Sequence, residues 1–290
     1  VATKERPLDT FPDGGVEAGD AGSSGGPDSG VDAGPAVMPE CDPTTTLYVY
    51  VVAADNTLYR FFPPMLSFEA VGTLDCPDSR SQPYSMAVDR FGTAWVEYGD
   101  GNLFHVSTKT AACTATPYQP PPPGGPFLNF GMGFSTNAVN SSNETLWVND
   151  SGSGNRGGEG LGWIDTETYQ LHYVGNYRGL TNAINLAELT GTGDALLYGG
   201  FAGDPFELAE IDKTNAQILS EAPMQAVTQT GNSALNFAFA FWGGAFWLFE
   251  GPDSYSGVYL YNPTARTTTM VTQVPYVIVG AGVSTCAPRK

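Results

Sequence analysis

Short apolar or alternating runs, rich in β-branched and aromatic residues, follow one another along most of this chain. Ser85–Val88, Thr93–Val96, Leu103–Val106 and Cys113–Thr116 are typical, and Gly, Pro, Asn or Asp stands between them. Runs this short, closed off by turn formers, predict β-strands rather than helices.

The runs repeat as a set. A copy opening at Tyr84 returns near residues 130, 182 and 234, and a fifth opens at Tyr276, runs out at the C-terminus and is completed by Thr46–Cys76. Spacings of 46, 52, 52 and 42 residues suit one four-stranded sheet per copy, which predicts an all-β, five-bladed β-propeller over residues 41–290. Its first strands are small and apolar, as strands crowded round an axis need to be, and its fourth strands are polar, as exposed edges need to be. In the second strands Trp95, Trp147 and Trp247 share one repeat position with Tyr48 and Leu197, a bulky set that reads as packing between blades. In the third strands His105 aligns with Arg60, Trp163, Glu210 and Leu260.

The split copy implies that the N- and C-terminal strands pair to close the ring. Cys286 follows the last strand and Cys41 precedes its neighbour, so antiparallel pairing places them at one end and predicts a Cys41–Cys286 disulfide. Cys76 and Cys113 remain as a second pair or as two free thiols.

Composition divides the chain. Residues 1–40 are rich in Gly, Ser, Pro and Asp, with eight acidic and two basic side chains, and predict a disordered acidic tether. Residues 41–290 hold 22 acidic and 10 basic side chains. That excess repels phosphate backbones and argues against nucleic acid and anionic membranes as partners. No apolar run is long enough to span a bilayer. Four widely spaced cysteines suit disulfides in an oxidising compartment, so export to the cell surface or beyond is the expected history.

Candidate chemistry gathers in the loops between second and third strands, which share one face. Each carries an acid: Asp55; Glu97 and Asp100; Asp150 and Glu159; Asp204; Glu250 and Asp253. Such a ring offers hard oxygen ligands to a cation such as Ca2+ or attracts a basic partner, although hairpin turns favour Asp for their own geometry. Tyr98, Asn155 and Tyr255 flank these acids, and Trp242, in the turn after an inner strand, is free of the shared packing position. The two histidines, His105 and His172, fall in outer strands without a nucleophile motif beside them, so no catalytic residue is assigned.

Met86–Val96 followed by Gly101–Val106 resembles the repeats of streptogramin lyase-like and NHL propellers, which join an apolar-Val-Asp turn to Gly-x-x-Trp-Val and Gly-x-Leu. In the lyases the resemblance implies metal-assisted elimination, using a histidine and acids near the axis. This chain has no histidine in an inner strand. The low-complexity tail is similar to stalks of bacterial surface lipoproteins. Together these features lead to an exported, non-catalytic propeller that binds a protein or glycan. The competing expectations are a metal-dependent lyase or hydrolase working through the carboxylate ring, and a structural subunit that self-assembles.

Overall fold

The computed structural model describes residues 41–139, 141–152, 158–181, 183–225, 236–252 and 254–290. The proposed tether and the candidates Asn155 and Asp253 lie outside the described residues. The propeller belongs to the unit Met38–Lys290.

Among the described residues twenty strands form five four-stranded antiparallel sheets. The first blade contains β1 (Val49–Ala53), β2 (Thr57–Phe62) and β3 (Ser67–Thr73). The second runs β4 (Pro83–Val88), β5 (Thr93–Tyr98), β6 (Leu103–Ser107) and β7 (Cys113–Ala115). The third is β8 (Phe130–Thr136), β9 (Glu144–Asp150), β10 (Leu161–Ile164) and β11 (Leu171–Gly175). The fourth is β12 (Ala183–Gly191), β13 (Leu197–Gly203), β14 (Phe206–Asp212) and β15 (Gln217–Met224). The fifth is β16 (Asn236–Trp242), β17 (Ala245–Gly251), β18 (Ser256–Asn262) and β19 (Thr267–Val274). The last strand, β20 (Ile278–Gly282), is the innermost strand of the first blade.

Closure is therefore by sheet pairing of the two ends: β20 lies antiparallel to β1, with Tyr50 opposite Gly282 and Val52 opposite Gly280. The Cys41–Cys286 bridge joins the segments just outside this pair, with Cα atoms 6.0 Å apart. The second pair, left open by sequence, is also bridged: Cys76–Cys113, Cα atoms 4.9 Å apart, fastens the segment leaving the first blade to the outer strand of the second.

Inner strands β20, β4, β8, β12 and β16 contact one another in a ring. Their glycines permit this approach. A Cβ on Gly133 would lie 2.6 Å from the Leu189 carbonyl oxygen, and one on Gly282 would lie 2.7 Å from the Val88 amide nitrogen. Between the blades, alternate residues of each second strand pack against the preceding and following blade, giving five apolar layers. Trp95, Trp147 and Trp247 are buried and pair across the sheet with His105, Trp163 and Leu260.

Pairing corrects two second-strand alignments. Arg60 lies opposite Tyr50 and Glu210 opposite Tyr198, so Tyr50 and Tyr198, rather than Tyr48 and Leu197, hold the tryptophan position. Leu197 instead packs in the layer beside Trp147, between the third and fourth blades. The slip is one residue in the fourth blade, which a strand apolar on both faces cannot reveal, and two in the first, which keeps the same face and leaves alternation unchanged.

The apolar-Val-Asp turn now has a physical account. The Asp89 carboxylate accepts hydrogen bonds from the Phe91 and Thr93 amides at 3.0 and 2.8 Å and from the Trp95 indole at 3.3 Å. Gly92 supplies the left-handed backbone (φ 84°) within that turn.

The two bridges close loops of very different length, with sequence separations of 245 and 37 residues. Replacing Cys41 and Cys286 together by Ser should lower stability by about 5 kcal/mol, against about 4 kcal/mol for the Cys76, Cys113 pair. Urea unfolding measures both, and a reversed order would show that loop entropy does not govern these bridges.

Candidate functional site at the axis

Strand direction gives the propeller two faces. The turns from second to third strands lie on one, called here the hairpin face, and the turns from first to second strands lie on the other, the closure face. The chain's last residues lie across the closure face. Thr285 donates to Glu144 at 2.6 Å, Arg289 pairs with Asp194, and the Pro288 carbonyl accepts from the Gly243 amide at 2.7 Å. One short segment thus ties the third, fourth and fifth blades.

On the hairpin face the inner strands open into a cavity of about 320 Å³. Gln82, Tyr84, Glu188 and Asn236 supply its polar groups, and Pro83, Leu186, Phe237 and Val279 its apolar walls. Four inner strands or their approaches contribute, so the cavity sits on the axis.

Glu188 fixes the cavity's chemistry. It projects from β12 and accepts a 2.7 Å hydrogen bond from the Ser85 hydroxyl of β4, two strands that are not neighbours in the inner ring but both flank β8. The contact therefore crosses the axis. Ser85 in turn accepts the Met132 amide of β8 at 3.2 Å, which joins three inner strands at one point. Glu188 is 5% exposed, and burial pushes its carboxyl well above the usual range despite the Ser85 and Met132 donors.

A second buried acid lies beside this point. Glu97, at the end of β5, accepts from the Asn129 side chain at 2.9 Å and from the Phe130 amide at 3.4 Å, holding the entry of β8. Burial raises its carboxyl strongly too, with Glu188 adding repulsion. The Tyr84 phenol is pushed upward by burial first and then by Glu97, Glu188 and Asp150, which places all three acids within its field. Tyr118 is buried with no hydrogen-bond partner for its hydroxyl among the described residues, and it also feels the Glu97 charge.

The other expected site residues scatter. Asp150 is buried and braces its loop, accepting the Phe127 amide at 2.9 Å and the Glu159 amide at 2.8 Å. Asp100 accepts the Asn102 and Arg80 amides, each at 3.2 Å, at the rim. Tyr98 is sealed in the layer between the first two blades, where its hydroxyl donates to Asn56 at 2.9 Å. Glu250 is 6% exposed, accepts no hydrogen bond from the described residues, and is pushed up to about 7 by burial. Asp204 is an exposed turn residue and Tyr255 is exposed beside Ser256. Trp242 lies on the closure face, its indole donating to the Thr46 carbonyl at 2.9 Å, and so belongs to the ring seam rather than to the loop face.

Ca2+ requires about six to eight oxygen ligands. Among the described residues no three acidic, histidine or cysteine side chains converge as a metal set, because the loop acids are distributed between turn braces and exposed tips. The histidines lie away from the axis: His105 meets Trp95 edge-on, with ring centres 4.1 Å apart, and His172 stacks on Trp163, also at 4.1 Å.

Sequence reasoning missed Glu188 because it sought acids in the loops between second and third strands. Glu188 lies within β12, whose pairing with β13 shifts register between Ala183 and Ala187. The available signal was a carboxylate placed between apolar residues in Leu186–Leu189, where a lone charge is costly to bury.

No family model matches this chain, and no curated protein matches it. Solved structures match it at low similarity, with TM-scores below 0.5. The extracellular domain of the putative one component system BT4673 from B. thetaiotaomicron is 14% identical over 79% of this chain and 28% of that one, with a TM-score of 0.41. TolB from Acinetobacter baumannii is 16% identical over 79% of this chain and 53% of its own, with a TM-score of 0.44. A structure of the mitotic checkpoint complex is 11% identical, covering 83% and 79%, with a TM-score of 0.42. The chain spans less than a third of the first and about half of TolB. The lyase and NHL resemblance rests on the repeat turn, and no family is shown for the chain.

Glu144 makes the closure face sensitive to pH. Burial raises its carboxyl to about 7 from 4.5, against the lowering effect of the Thr285 and Arg90 donors. The folded protein holds this proton more tightly than the unfolded chain, so this contribution is complete below about pH 4.5 and is lost as pH rises towards 7. Glu144→Gln should flatten the fall in melting temperature across that window, removing on the order of 2 kcal/mol of pH dependence. Calorimetry from pH 4 to 8 tests this, and identical wild-type and variant slopes would contradict it.

Proposed function

We propose that this is an exported, non-catalytic binding propeller that engages a protein or glycan at the cell surface through its hairpin face. The observation that carries this reading is the axial cavity, concave and partly apolar with a few converging polar groups, the usual form of a ligand site. The C-terminal segment covers part of the opposite face and directs ligand entry to the hairpin side. Two disulfides with no free cysteine suit an oxidising compartment. The acidic surface favours partners that are neutral or basic. With both histidines held against tryptophans away from the axis, the reading assigns no general base to the cavity.

Gly99→Trp tests the choice of face. Gly99 lines the cavity, and a Cβ there meets no atom closer than 3.6 Å, so a large side chain can grow into the mouth without disturbing the backbone. Wild-type protein, this plug variant and a closure-face variant, Phe91→Ser, would be screened on glycan and peptide arrays, with and without Ca2+. Binding should be retained in Phe91→Ser and reduced at least about tenfold by the plug. Ligands indifferent to the plug would place recognition elsewhere. A screen without a specific ligand would count against the binding role.

A further inference from the structure

We infer that the axial cavity receives an alkylammonium group, such as a lysine side chain of a partner protein, with its charge set against Glu188. This rests on the cavity being the ligand site proposed above.

The direction of hydrogen bonding at the cavity floor is fixed by the backbone. The Met132 amide can only donate, so the Ser85 oxygen accepts from it and turns its own proton to the nearer Glu188 oxygen. That carboxyl oxygen is an acceptor in any protonation state. Glu188 also lines the cavity, so its carboxyl can meet a ligand there, offering a proton when the acid is neutral and a full acceptor when it is ionised.

Among the described residues no basic side chain answers this acid. The described lining of the cavity contains no Lys, Arg or His, and the ion pairs among the described residues, Arg60–Glu69, Lys109–Asp42 and Arg289–Asp194, lie elsewhere. Glu97 and Asp150 lie within reach of Tyr84 and add negative potential there when ionised. A buried carboxylate without a counter-charge is costly, and a cation arriving in the cavity relieves that cost, so that a neutral Glu188 releases its proton to solvent. The relief is specific to ligands that carry charge.

The walls select the kind of cation. A bare metal ion needs several oxygen ligands, and no such set converges among the described residues. Leu186, Phe237, Val279 and Pro83 instead present hydrocarbon above one carboxylate. An apolar stem ending in an ammonium matches that arrangement: methylenes lie against the walls and the head group reaches the floor. The aromatic rings of Phe237 and Tyr84 favour the same charge. A neutral sugar would leave Glu188 without a counter-charge.

The test uses full-length protein and three probes: Nα-acetyllysine methylamide, Nα-acetylnorleucine methylamide, which has the same four-carbon stem without the ammonium, and xylotriose. Binding is followed by nuclear magnetic resonance shifts of the residues around the cavity. The lysine amide should bind at least about tenfold more tightly than the norleucine amide, and Glu188→Gln should remove most of that preference. The comparison of the two amides on wild-type protein stands even if the variant folds poorly. Equal affinity of the two amides, or a lysine preference that survives Glu188→Gln, overturns the ammonium assignment. Xylotriose binding at the cavity without the lysine amide also overturns it while leaving the axial site in place. If none of the probes shifts these resonances, both the ammonium assignment and the axial reading fail.

Discussion

A propeller ring has one joint that chain connectivity does not hold, the blade assembled from both ends of the sequence. Here that joint is the pairing of β20 with β1, and the geometry of the axis depends on it. Without β20 the ring of inner strands would be open between β4 and β16, and Val279 would be lost from the cavity wall. Gly280 and Gly282 let β20 lie against β4 at backbone distance. The Cys41–Cys286 bridge makes this long-range pairing less costly to form, since a cross-link over 245 residues restricts the unfolded chain strongly.

The same closure sets the polarity of the molecule. Once β20 ends at Gly282, the remaining residues can only continue across the closure face, where Thr285 and Arg289 find acidic partners on other blades. On the hairpin side Glu188, Ser85 and Met132 form a floor. The hydrogen bonds there join three inner strands and leave a carboxylate under a partly apolar mouth. In the proposed reading stability and recognition draw on the same side chains, and the raised carboxyls of Glu97 and Glu188 mark that overlap.

Much of this was legible in the sequence, for reasons that differ by residue. Blade number, strand order and end-to-end closure follow from the repeat, because each copy carries turn residues that delimit its strands. The Cys41–Cys286 pair follows from antiparallel direction alone. The repeat alignment puts Tyr48 and Leu197 in place of Tyr50 and Tyr198 because the fourth blade's strand is apolar on both faces and the first blade's slip of two residues keeps the same face, so alternation fixes neither register. Glu97 and Asp150 were singled out as loop acids facing a partner, whereas burial and amide donors make them supports for β8 and its neighbouring loop. Glu188 was invisible to a search for acids in loops, since it lies within an inner strand and reaches its partner across the axis. No local pattern encodes a contact between residues 85 and 188.

The central claim is that ligands enter from the hairpin face and reach the floor at Glu188. Hydrogen–deuterium exchange of the full chain, free and saturated with a bound partner, addresses it directly. The account predicts added protection at Pro83–Ser85, Leu186–Glu188 and Asn236–Phe237, with residues 284–290 unchanged. Protection confined to residues 284–290 and the closure-face turns would contradict it.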